Sequence, residues 1–164
     1  MERQLRLADV PQVYCLDASA LIDLKRWYPK EMKTFLPIWT KIEKMVSEGR
    51  IIAPLEVQKE IAFGNDEIVK WSKQNKFAFR DIDTCQIEKI KEIQVKYPSG
   101  FWEKEINKDG HWGDPWVIAL SIYEEAIIVT NENKDKANRI PSVAREFEIR
   151  SLQLLEFFKE IGIE

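Results

Sequence analysis

Val13-Tyr14-Cys15-Leu16-Asp17-Ala18-Ser19-Ala20-Leu21-Ile22-Asp23-Leu24 joins a short apolar run to a helix-compatible one, with a carboxylate at the join. An apolar run of this length reads as a strand buried on both faces, and Asp is a favoured residue at the start of a helix. The same arrangement recurs further on. Glu132 follows the apolar run Ile127-Ile128-Val129-Thr130, and Asp114 opens Pro115-Trp116-Val117-Ile118-Ala119-Leu120, with Pro at a first-turn position. Glu60 lies in the helical stretch after Ile51-Ile52-Ala53-Pro54. Carboxylates at the carboxyl ends of parallel strands meet in one crevice, where open α/β sheets keep their chemistry.

Outward from this segment the periodicity alternates. Residues 13–17 read as a strand, Ala18–Arg26 as a helix, Lys30–Glu48 as a longer helix stopped by Gly49, and 50–53 as a second strand. Leu55–Phe63 reads as a helix after Pro54, Asn65 or Asp66 as the cap of another, and 77–79 as a weak strand. Asp83–Tyr97 is predicted helical, with Ile87, Ile90, Ile93 and Gln94 on one face. Asp114–Glu125 follows as a helix, Ala126–Thr130 and Phe147–Arg150 as strands, and Leu152–Ile161 as a closing helix. Pro98–Gly113 and Asn131–Pro141 read as irregular. Alternating strands and helices predict an α/β domain with a mainly parallel sheet of four to five strands and right-handed crossovers.

The 164 residues suit one domain, with 1–11 as a possible N-terminal extension. A net charge of -3 argues against a protein that coats nucleic acid through a basic surface. It leaves room for one that grips phosphates through metal ions. Neither a membrane span nor a signal-peptide apolar core is visible, and the two cysteines read as reduced thiols, so a cytoplasmic location is expected. The single His111 rules out a His-rich metal site. An oxygen-only donor set selects a hard cation such as Mg²⁺ or Mn²⁺, whereas Zn²⁺ recruits His or Cys.

In their order, four segments resemble PIN-domain ribonucleases, many of which are toxins of VapBC-type toxin–antitoxin pairs. They are Val13–Leu24, Ile52–Glu60, Gly113–Ser121 and Ile128–Glu132. The Asp-Pro-Trp and Thr-Asn-Glu versions, with Lys25-Arg26-Trp27-Tyr28-Pro29, look like a less characterised branch. The resemblance implies a three-layer α/β/α PIN-like domain over residues 1–164. It implies an endoribonuclease using one or two Mg²⁺ or Mn²⁺ ions, with Asp17, Glu60, Asp114 and Glu132 as catalytic metal ligands and Ser19, Thr130 and Asn131 supporting them. It places Glu60 ahead of Glu56. Glu132 stands where Asp is usual, with Asn131 and Asp135 as competitors. An RNA substrate, a cognate antitoxin and a possible homodimer are the implied partners.

Each residue also has a plainer reading. Asp17 and Asp114 could be helix caps, Ser19 a first-turn residue, and Asp23 a structural or surface group. Lys134, Lys136 and Arg139, or Lys25 and Arg26, could meet phosphates or form a solvated charged surface. Trp102 and Trp112 could stack on bases, with Trp116 in the core, and His111 fits an ordinary loop residue. Two other functions fit the same fold class. A PIN-fold module could bind RNA or protein without cutting. A haloacid-dehalogenase-like phosphatase also places Asp after its first strand, but it needs Asp-x-Asp where this chain has Asp17-Ala18-Ser19.

Overall fold

The computed structural model describes residues 11–62 and 66–163. The proposed extension up to residue 10, the helix end at Phe63 and the Asn65 cap lie outside the described residues, as does the side chain of Asp66.

Five strands form one sheet in the order β3-β2-β1-β4-β5, and every neighbouring pair is parallel. They are β1 Tyr14–Leu16, β2 Ile51–Pro54, β3 Phe79–Arg80, β4 Ile127–Val129 and β5 Ser151–Leu152. β1 is central, with Tyr14 opposite Ile51 on one side and Ile127 on the other. β1 and β2 are buried throughout, as expected for a parallel sheet covered on both faces. Side-chain alternation shows that covering. Cys15 Sγ lies 3.9 Å from the Val117 carbonyl, whereas Tyr14, on the opposite face, packs on Phe157 with ring centroids 4.9 Å apart.

The helices between strands are α1 Ala18–Trp27, α2 Leu36–Ser47, α3 Leu55–Ile61, α4 Asp66–Gln74, α5 Thr84–Gln94, α6 Phe101–Ile106, α7 Asp114–Glu124 and α8 Ile140–Arg145, and α9 Leu154–Glu160 follows β5. α7 lies against β1, β2 and β4 and packs along α5. This is the α/β architecture with a parallel central sheet that the PIN-like resemblance implies.

Several boundaries move for identifiable reasons. α2 starts at Leu36 instead of Lys30, because Pro37 belongs in a first helical turn; a 3₁₀ turn at Lys33–Phe35 precedes it. Residues 76–78 form another 3₁₀ turn, leaving β3 at Phe79–Arg80. Ile87 is 53% exposed and Gln86 is buried in its place, so the inner face of α5 is rotated from the predicted one. The first stretch read as irregular contains the short helix α6, and the second is irregular up to Ile140, where α8 begins. β5 lies beyond the predicted Phe147–Arg150 run, which forms the turn after α8. Asp114 is the first residue of α7 with Gly113 as N-cap, so the predicted capping role passes one residue upstream.

Candidate active site

The chain runs β1, β2, β3 towards one edge, then returns to the other side of β1 for β4 and β5. The order therefore reverses between β1 and β4, the place where open α/β sheets bind ligands at the carboxyl ends of their strands. Asp17 stands at the end of β1 and Thr130-Asn131-Glu132 at the end of β4. α7 begins beside them with Asp114.

Asp17 is only 2% exposed and tightly held. Its carboxylate accepts the Ala20 N–H at 2.8 Å as the cap of α1, the Thr130 hydroxyl at 2.7 Å and the Ser19 hydroxyl at 2.9 Å. Both hydroxyls are oriented by the next residues of the β4 loop. Asn131 donates its N–H to Ser19 Oγ and Glu132 donates its N–H to Thr130 Oγ1, each at 3.1 Å. Asn131 clamps the loop by donating its side-chain amide to Asp23 and accepting the N–H of Leu154 at the start of α9. Asp23 thus has the structural role open to it, and Asn131 ties β4, α1 and α9 together.

Glu60 crosses from α3 to the start of α7, where its Oε2 accepts the Gly113 N–H at 3.0 Å. Glu56, one turn earlier, faces Lys59 and His111 instead. Glu132 accepts the Ile140 N–H at the start of α8 and lies 3.7 Å from the Arg139 guanidinium. Asp114, 8% exposed, lies within electrostatic reach of Glu132, Asp17 and Glu60.

The charges of this group are mutually unfavourable. Burial pushes Asp17 up to about 7, helped by Glu132 and opposed by its three hydrogen-bond donors. Burial also pushes Glu60 up to about 7, with Glu132, Glu105 and Glu56 adding to it against the Gly113 N–H. Asp114 rises well above the usual carboxylate range, through burial first and then Glu132, Asp17 and Glu60. Desolvation and like charge act together here, and a bound cation relieves both. Among the described residues no three His, Cys, Asp or Glu side chains form a ready-made ligand set. The carboxylates are turned to internal donors, yet each oxygen has a second lone pair to offer. All-oxygen donors suit Mg²⁺ or Mn²⁺ in chemistry.

Sequence reasoning missed Gly113 and Tyr97. A Cβ on Gly113 would lie 2.9 Å from Glu60 Oε2 and 3.0 Å from Val57 Cγ2, so only glycine admits the Glu60 contact. The signal was present as the glycine directly before Asp114-Pro115. Gly113→Ala is expected to cost about 1–3 kcal/mol by overpacking and to displace Glu60; thermal melts and metal titration check both. Tyr97 is buried and its hydroxyl has no partner among the described residues, and Asp114, Glu132 and Glu105 add to the rise in its pKa that burial causes. Removing an unsatisfied buried hydroxyl releases its desolvation cost, so Tyr97→Phe is expected to stabilise the fold by about 1 kcal/mol in a urea melt.

The other candidates are dispersed. Lys134, Lys136 and Asp135 are exposed beyond the fourth carboxylate, and Arg139 sits beside Glu132. Lys25 is engaged by Glu31 and Glu67, each at 2.6 Å. Trp102 and Trp112 are half-buried in an aromatic cluster with Tyr97 and Phe101, and Trp116 is half-buried where full burial was predicted.

The family described as a domain of unknown function, DUF4411, matches residues 14–164. The chain belongs to this family. No curated protein matches the sequence. Among solved structures, the DUF4411 chain is similar to VapBC2 from Rickettsia felis, determined bound to a DNA fragment from its promoter. That match has 17% identity and a TM-score of 0.48, covering 87% of this chain and 98% of the other. It is also similar to PAE2754 from Pyrobaculum aerophilum, at 13% identity and a TM-score of 0.45 over 92% and 97% of the two chains. Among the described residues no helix is long and apolar enough to cross a membrane.

Proposed function

We propose that this protein is a metal-dependent endoribonuclease of PIN type, acting as the toxin of a toxin–antitoxin pair. The observation that carries the reading is the gathering of Asp17, Glu60, Asp114 and Glu132 at the switch point, where each of the first three is held uphill of ordinary ionisation. Asp17, Glu60 and Asp114 would hold Mg²⁺ or Mn²⁺, with Glu132 ligating it or its water. The ion supplies a water of lowered pKa and stabilises the leaving oxygen at phosphorus. Ser19 and Thr130 keep Asp17 oriented as an acceptor, and Asn131 fixes the loop that carries Glu132. By family analogy, hydrolysis leaves a 5′-phosphate and a 3′-hydroxyl. Lys134, Lys136 and Arg139, which follow Glu132 in the chain, would meet the phosphates beside the metal. A cognate antitoxin, a homodimer and a cytoplasmic location belong to the same reading.

A panel of transfer, ribosomal and messenger RNA fragments, incubated with Mg²⁺, Mn²⁺ or chelator, tests it. Cuts that need metal and leave 5′-phosphates are expected. Folded protein that cuts nothing would favour the inert binding module, and hydrolysis of small phosphomonoesters would favour the phosphatase.

A further inference from the structure

Beside the candidate active site lies a cavity of about 270 Å³ with three tryptophans in its wall, Trp102, Trp112 and Trp116. Glu56, Glu105 and His111 supply its polar atoms. His111 also borders an adjoining cleft whose wall includes Glu60, so the cavity lies next to one carboxylate of the candidate site. Its volume falls just under the roughly 300 Å³ at which sites for drug-sized ligands begin, a scale suited to one flat ring system. Trp102 and Trp112 hold each other edge to face, 5.1 Å between centroids, and both are braced by Tyr97. Such a wall is rigid before a ligand arrives, which lowers the cost of stacking.

We propose that this cavity receives a guanine base of the RNA, seated beside the phosphate that is cut. The proposal rests on the nuclease reading. Its warrant is the pairing of indole faces with two largely buried carboxylates, whose side chains are 15% and 16% exposed for Glu56 and Glu105. An ionised carboxylate only accepts hydrogen bonds. Guanine offers two adjacent donors, N1–H and N2–H, that one carboxylate takes together. Uracil offers a single N–H on that edge, and adenine and cytosine each set a ring-nitrogen acceptor against the carboxylate. Charge balance argues against a cationic guest. Glu105 is paired with Lys108 at 2.7 Å, and Glu56 has Lys59 at 2.9 Å and His111 at 3.4 Å. The acids therefore keep acceptor capacity without leaving a strong negative field, and the two lysines offer ammonium groups to flanking phosphates.

The test is tryptophan fluorescence of the full chain in chelator, titrated with 2′-O-methyl hexauridylates carrying one central G, A or C. The G oligomer is expected to quench at roughly tenfold lower concentration than the others, the discrimination typical of one bidentate base contact. Glu105→Gln is expected to erase most of that preference at unchanged melting temperature. Equal quenching by all oligomers would overturn the proposal. So would quenching by an arginine-rich peptide with none by the G oligomer, which would make the cavity a seat for a protein partner's cation. Chelator separates this outcome from the nuclease reading. Guanine preference in a protein that cuts no RNA would keep the cavity and remove the nuclease, and metal-dependent cutting without guanine preference would do the reverse.

Discussion

Asp114→Asn is expected to abolish metal-dependent RNA cleavage and, in the same protein, to raise the melting temperature without metal. The two effects share one cause. Asp114 is buried at the start of α7, where Glu132, Asp17 and Glu60 all oppose its ionisation. At neutral pH the fold must either leave this carboxyl protonated or tolerate its charge. Asparagine keeps the shape and removes that conflict. Relief of a buried, uncompensated charge is worth about 1–3 kcal/mol, and each kcal/mol moves the melting point of a chain this size by about 2–4 °C. On the proposed reading the same change takes away an anionic metal ligand, so activity should fall by more than the roughly 10–100-fold lost when an outer partner is altered.

Asp17→Asn separates the two effects. Its carboxylate receives the Ala20 N–H and the hydroxyls of Ser19 and Thr130, whereas an amide nitrogen there would face donors. Cleavage should disappear while stability gains less than in Asp114→Asn. Full cleavage by both variants, measured beside wild type in Mn²⁺, would remove this site from consideration.

Much of the frame was legible in the sequence because apolar runs and helix starts are local signals. Val13–Leu16 and Ile127–Val129 contain too many buried β-branched and large residues for a solvated loop, and each precedes a polar residue at the join. The weaker elements failed where the signal is not local. α6 and α8 are six residues each, too short for a periodic stripe to show. β5 contributes only Ser151 and Leu152, and it is fixed by pairing with Ile128 and Val129 instead of by its own composition. The site follows the same division. Asp17 and Asp114 announce themselves by position, but the seat for Glu60 depends on the missing Cβ of Gly113, brought from 53 residues away. The cluster of Tyr97, Trp102 and Trp112 likewise exists only once α6 folds back.

The metal-free protein is expected to lose stability as pH rises from about 4 to about 7, and divalent metal is expected to restore it at the upper end. Asp17 and Glu60 set the window. In the unfolded chain they ionise near their ordinary 3.8 and 4.5, whereas in the fold both are pushed up to about 7. Below pH 4 they are protonated in both states and carry no penalty. Between the two values the folded state holds protons that the unfolded state has released, so stability falls with increasing pH and levels off above 7. Each group contributes at most about 1.4 kcal/mol per pH unit, and Glu60, being partly open to solvent, contributes less than Asp17. Surface pairs such as Lys25–Glu31, which hold Glu31 down to about 2, act in the opposite direction at lower pH. Wild type minus Asp17→Asn therefore isolates the buried term. On the proposed reading Mg²⁺ or Mn²⁺ would bind the ionised cluster and compete with its protons, so the urea midpoint should rise far more at pH 8 than at pH 5. Metal that stabilises both pH values equally would be acting on the exposed surface, and a metal-free stability that climbs between pH 4 and 7 would mean that these carboxyls are already ionised in the fold.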